Sequence, residues 1–162
     1  MKPRPIYVKV AHHALGKPGD LLVTLGLGSC VAILLHDRQA RVGALAHVLL
    51  PEPALARDRH NSAKFAATAV PMLLEELGEL GARSSRLEAR LVGGASMFAT
   101  LMVPGSLNMG ERNIRAAREA LRKAGIPILG EAVGGDFGRS VRFNVADGST
   151  VVSSVGRQDV VL

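Results

Sequence analysis

One stretch constrains this chain more than any other. It is Val23-Thr24-Leu25-Gly26-Leu27-Gly28-Ser29-Cys30, followed by two apolar runs, Val31–His36 and Val42–Leu50. Asp37-Arg38-Gln39-Ala40 between the runs reads as a turn, so the runs predict an antiparallel hairpin. A loop centred between Arg38 and Gln39 sets Cys30 directly opposite His47. Opposed residues share a face with Cβ atoms about 4.5–5.5 Å apart, within reach of a thiol–imidazole hydrogen bond. A slip of one residue would send the two side chains to opposite faces.

Cys30 is the sole cysteine of the chain. A free thiol titrates at about 8–9, and an adjacent imidazolium lowers that value. The thiolate is a nucleophile, and the imidazole both activates it and protonates a leaving group. Thr24, on the preceding strand, is a candidate to hold one imidazole nitrogen. Gly26 and Gly28 permit a tight turn with exposed backbone N–H groups. Such groups at Gly28, Ser29 and Cys30 would stabilise an oxyanion. The plainer alternative is a cysteine buried as a small hydrophobe and a histidine satisfied within the core.

The segment Thr24-Leu25-Gly26-Leu27-Gly28-Ser29-Cys30-Val31, with Asp37 and then His47-Val48-Leu49-Leu50-Pro51, resembles the CheD family, the chemoreceptor glutamine deamidases of chemotaxis. Leu91-Val92-Gly93-Gly94-Ala95-Ser96-Met97, Met109-Gly110-Glu111-Arg112-Asn113 and Gly134-Gly135-Asp136-Phe137-Gly138-Arg139 resemble that family's later motifs in the same order. The resemblance implies a nucleophile at Cys30, a general base at His47 and a supporting threonine at Thr24. It implies hydrolysis of receptor glutamines to glutamates through a thioester, with no metal or cofactor. The implied partners are the cytoplasmic helices of chemoreceptors and, in some relatives, the phosphatase CheC. Two rival classes stand beside this reading: a cysteine amidase with another protein substrate, and a non-catalytic module that docks to receptor or CheC.

Composition narrows the remaining classes. A chain of 162 residues is expected to form one domain spanning residues 1–162 with a real core. One cysteine cannot form an internal disulfide, which fits a reducing cytoplasm. Met1-Lys2-Pro3-Arg4-Pro5 leads directly into a β-like run, without the apolar core of an export signal. Leu21–Leu35 is too short and too interrupted for a membrane helix, so no membrane insertion is expected. The net charge is +6. Its basic residues are scattered and lack stacking aromatics, which argues against nucleic acid. Solvated arginines on helix surfaces explain the excess; a basic face would also speed encounter with acidic receptor helices.

The remaining patterns give the other elements. Ile6–Ala14 and Asp20–Leu27 read as strands. A helix capped at Asn61 or Ser62 runs to about Leu80, with Pro71 demanding a kink or a late start. Arg86–Gly93 and Ile126–Val133 read as strands around a second helix, which Asn108 caps and Gly125 ends. Gly-rich segments match neither a complete phosphate-loop nor a dinucleotide fingerprint. The early histidines form no ligand cluster for a metal. Ser140–Ala146 and Thr150–Ser154 make a hairpin across Asp147-Gly148, and Arg157–Leu162 is either loose or an edge. Strands outnumber helices and several are hairpin-linked, which argues an α+β fold. The resemblance adds a single-domain layered sandwich of mostly antiparallel, mixed sheets, with two main helices packed outside, a scaffold also seen in a bacterial toxin deamidase.

Overall fold

A computed structural model describes residues 2–97 and 108–162. Its strands form two five-stranded mixed sheets. The first sheet runs β1 (Arg4–Tyr7), β3 (Asp20–Leu27), β8 (Arg139–Asn144), β9 (Thr150–Ser153) and β10 (Val160–Val161). The second runs β2 (His13–Gly16), β5 (Val42–Val48), β4 (Val31–Asp37), β6 (Leu87–Gly93) and β7 (Ile128–Val133). The pairs β1–β3 and β6–β7 are parallel, and the other neighbours are antiparallel. Helices α1 (Ala66–Glu79) and α2 (Met109–Ala124) cover the outer face of the second sheet. The fold is α+β, as expected.

The hairpin is central because both of its faces are apolar. Every residue of β4 and β5 is buried, the mark of strands covered on two sides. Val31, Ile33 and Leu35 meet the helices, where they pack with Val70, Leu73, Ala117 and Leu121. Ala32, Leu34 and Leu45 meet the first sheet, packing with Leu22, Val141 and Phe143. Each fully buried leucine of these layers contributes about 1.5–3 kcal/mol relative to exposure. Two polar side chains inside this sandwich show how its burial is offset. Asp37 takes hydrogen bonds from Arg86 and from the Ala40 and Arg83 amides. These donors hold its carboxylate below the ordinary aspartate value despite burial. His36 bonds the Val145 carbonyl at 2.9 Å.

Three local expectations are corrected. Ile6–Ala14 is not one strand: β1 and β2 lie in different sheets, joined through Val8–His12, with Ala11 in the left-handed region at φ 63°. The hairpin register differs by two residues, with Ala32 rather than Cys30 opposite His47. The loop is centred one residue later than expected, between Gln39 and Ala40, since Asp37 pairs with Val42, and Ala40 donates to the Asp37 carboxylate within it. Helix α1 begins at Ala66 with Phe65 at its N-cap, so Asn61 caps a preceding 3-10 turn through the Ala63 amide rather than the helix itself. The second helix matches its signals: Asn108 accepts from the Glu111 amide, and Gly125 closes it at φ 72°.

Candidate active site

His47 sits near the end of β5, where the β2 ladder has just stopped at Ala46. The β1–β2 crossover then takes over its backbone. The His47 amide donates to the His12 carbonyl at 3.0 Å, and its carbonyl accepts from the Ala11 amide at 2.8 Å. Its side chain, opposite Ala32, points between the sheets and reaches Thr24 on β3, with Oγ1 2.7 Å from Nδ1. Both residues are 1% exposed.

This contact fixes the tautomer. Thr24 has one hydroxyl hydrogen, and it goes to the Val8 carbonyl 2.6 Å away. Oγ1 must therefore accept from the ring, so Nδ1 carries the hydrogen. Nε2 is left with its bare lone pair, buried and without a partner among the described residues. That is the nitrogen a general base needs free.

Cys30 lies one residue before β4, half-buried, and packs with the inter-sheet cluster. The two-residue correction in register keeps it on the face of His47, because side chains repeat every second residue. The two positions are diagonal rather than opposed, a spacing of about 7–8 Å between Cα atoms. Among the described residues, no hydrogen bond holds His47 Nε2, the thiol included. Burial pushes the Cys30 thiol up, partly offset by its own backbone N–H. Burial also pushes His47 down, partly offset by the Val8 carbonyl. Both shifts favour neutral thiol and neutral imidazole over the thiolate–imidazolium pair that spacing in the sequence suggested.

The loop that presents Cys30 is pinned by three consecutive carbonyls. The Gly28 carbonyl accepts from the Ala95 amide at 2.8 Å and the Cys30 carbonyl from the Gly94 amide at 2.8 Å. Between them, the Ser29 carbonyl accepts from Asn113 Nδ2 at 2.9 Å. In a trans peptide the N–H points opposite to the preceding C=O. Pinning Gly28 and Ser29 through their carbonyls thus turns the Ser29 and Cys30 N–H groups the other way. Neither donates to a backbone carbonyl among the described residues. Gly93, at φ 112°, is the position where a side chain would strike the Cys30 carbonyl.

Beside Ser29 opens a cavity of about 320 Å³, lined by Ala95, Ser96, Met97, Asn108, Met109 and Gly110. Sequence reading placed Ala95–Met97 and Met109–Asn113 in motifs without giving them a role. The signal for Asn113 was present: it is a polar residue in the inward stripe of α2 with Ile114, Ala117 and Leu121. Among the described residues, no three His, Cys, Asp or Glu side chains gather to ligate one metal ion.

The two-sheet α+β scaffold defines a class by shape. A Neisseria meningitidis protein of family DUF152 shares the fold with a TM-score of 0.51 at 13% identity, over 84% of this chain and 65% of that one. Sequence goes further. The family model described as CheD chemotactic sensory transduction matches residues 49–154. "Probable chemoreceptor glutamine deamidase CheD 2" of Geobacter metallireducens is 44% identical over 151 residues, 93% of each chain. "Chemoreceptor glutamine deamidase CheD" of Thermotoga maritima is 43% identical over 149 residues, 92% of this chain and 91% of that protein. The chain belongs to the CheD family. Among the described residues, no helix is long and apolar enough to cross a membrane.

Proposed function

We propose that residues 1–162 act as one cytoplasmic domain that deamidates glutamine side chains on the helices of chemoreceptors. The observation that carries this reading is the bare Nε2 of His47 on the face of Cys30, without a partner among the described residues, with its tautomer set by Thr24 and Val8. The names of the relatives supply the substrate class.

The chemistry follows from the resting protonation. His47 Nε2 takes the Cys30 proton as Sγ attacks the carboxamide carbon, so that no isolated thiolate forms in the half-buried site. The carbonyl oxygen becomes an oxyanion, and the N–H groups of Ser29 and Cys30, beyond Gly28, face it. Imidazolium His47 returns its proton to the amide nitrogen, the C–N bond breaks, and ammonia leaves a thioester. His47 then takes a proton from water, whose oxygen attacks the thioester. Collapse releases glutamate and restores the thiol. Thr24 holds the ring through both half-reactions.

The test is the intact mass of a chemoreceptor cytoplasmic fragment after incubation with this protein. Replacing NH₂ by OH adds about one dalton per site through the acyl-transfer route. A gain with wild type but not with Cys30→Ala or His47→Ala supports the reading. An unchanged mass with the fragment still bound would leave a docking module instead.

A further inference from the structure

We propose that Asn113 is a positioning residue that holds the Cys30 loop and the His47 strand in register; the proposal rests on the Cys30–His47 reading above. Asn113 is fully buried on α2, in a stripe otherwise suited to apolar residues. Its Nδ2 gives one hydrogen to the Ser29 carbonyl at 2.9 Å and the other to the Leu49 carbonyl at 3.0 Å. Ser29 directly precedes the nucleophile, and Leu49 follows His47 by two residues.

The place of these bonds gives them their meaning. The β4–β5 ladder ends at the pair Val31 and Val48. Ser29, Cys30 and Leu49 lie just past that end, where no further rung fixes one strand against the other. A single amide group bonded to both carbonyls acts as the missing rung. Sliding the Cys30 loop along β5 would break one of the two bonds. Asn113 Oδ1, by contrast, is buried with no partner among the described residues. An unmade acceptor in a core costs stability, so packing does not explain an amide here, whereas its two donors do.

The test compares the rate of Cys30 alkylation by iodoacetamide against pH in wild type, His47→Ala, Asn113→Leu and Asn113→Ser, with melting curves for each. This readout needs no receptor substrate. Wild type is expected to show an inflection from His47 titration that His47→Ala lacks. Asn113→Leu should lose the inflection while remaining folded. On a receptor fragment its kcat should fall about 100-fold, the cost of roughly an ångström of misplacement, with KM within about twofold of wild type. Asn113→Ser keeps one donor for one carbonyl and should recover part of both signals. An inflection retained by Asn113→Leu, with kcat within about threefold of wild type, would overturn the role of Asn113 alone. Unfolding of both variants would overturn it as well, by making Asn113 a residue of the fold. Coincident profiles for wild type and His47→Ala would instead remove the Cys30–His47 coupling on which the proposal stands.

Discussion

Replacing Thr24 by valine keeps the shape of the side chain and removes one hydroxyl. In the structure that hydroxyl spans 2.6 Å to the Val8 carbonyl and 2.7 Å to His47 Nδ1. The bond to the ring is worth about 0.5–1.5 kcal/mol while the ring is neutral and about 1.5–3 kcal/mol once it is charged. The imidazolium that carries the proton between thiol, ammonia and water therefore loses about 1–1.5 kcal/mol more than the resting ring. At about 1.36 kcal/mol per decade, that slows these steps about 5- to 13-fold. Without Thr24 the ring also distributes its hydrogen between both nitrogens. Equal sharing costs about another factor of two in the reactive form. Thr24→Val should thus lower kcat about 10- to 25-fold, with KM little changed because the hydroxyl is buried away from substrate. Ammonia release measures kcat, and long-range ¹H–¹⁵N spectra of the imidazole report the tautomer. Wild type should show Nδ1 protonated and Nε2 bare, and Thr24→Ser should preserve both signals. A wild-type ring protonated on Nε2, or a Thr24→Val kcat within about twofold of wild type, would refute the reasoning.

The other expectations follow from burial and strain. Activity should form a plateau whose acid limb lies below the ordinary imidazole value of 6.5 and whose alkaline limb lies above the ordinary thiol value of 9.0. A pH–rate profile of kcat/KM checks this, and an acid limb above the ordinary imidazole value would contradict it. Stability should fall as pH drops below 6.5, because burial lowers both His36 and His47 and the unfolded chain binds those protons first. It should also fall as pH rises past 9.0, where the unfolded chain releases the Cys30 proton before the folded one. Melting curves at stepped pH test both limbs, and Cys30→Ala should flatten the alkaline one. Gly93→Ala should destabilise by about 1–3 kcal/mol through its left-handed backbone. The same change should slow Cys30 alkylation, because the new methyl meets the Cys30 carbonyl; denaturant melts and alkylation rates measure the two effects separately.

Much of the fold was legible in local pattern. Asp20–Leu27 forms the strand read there, and the two continuous apolar runs became the doubly covered centre of the second sheet. Asn108 and Gly125 bound α2 at the positions their capping chemistry required. What failed were distances between elements. Ile6–Ala14 has the apolar content of one strand, yet it divides at Ala11 to serve two sheets, a choice made by what each half packs against. The hairpin register depended on where the loop is centred. The Asp37 side chain accepts from the Ala40 amide in a loop centred one residue later than expected, and the register moved by two.

The candidate residues Thr24, Cys30 and His47 could be named from the sequence because nucleophile, base and glycine-bearing approach each leave a local signature. Their relations could not. Thr24 and His47 sit on different sheets, and they meet only because the two sheets stack face to face. The hydrogen on Nδ1 is set by the Val8 carbonyl, an acceptor that every residue type carries and no sequence pattern marks. Asn113 reaches the Cys30 loop from a helix 84 positions along the chain. Periodicity and capping depend on neighbours within a few residues, so the chain itself determines them. Tautomer, register and burial depend on which groups the packed layers bring within hydrogen-bonding range, and that only the tertiary structure decides.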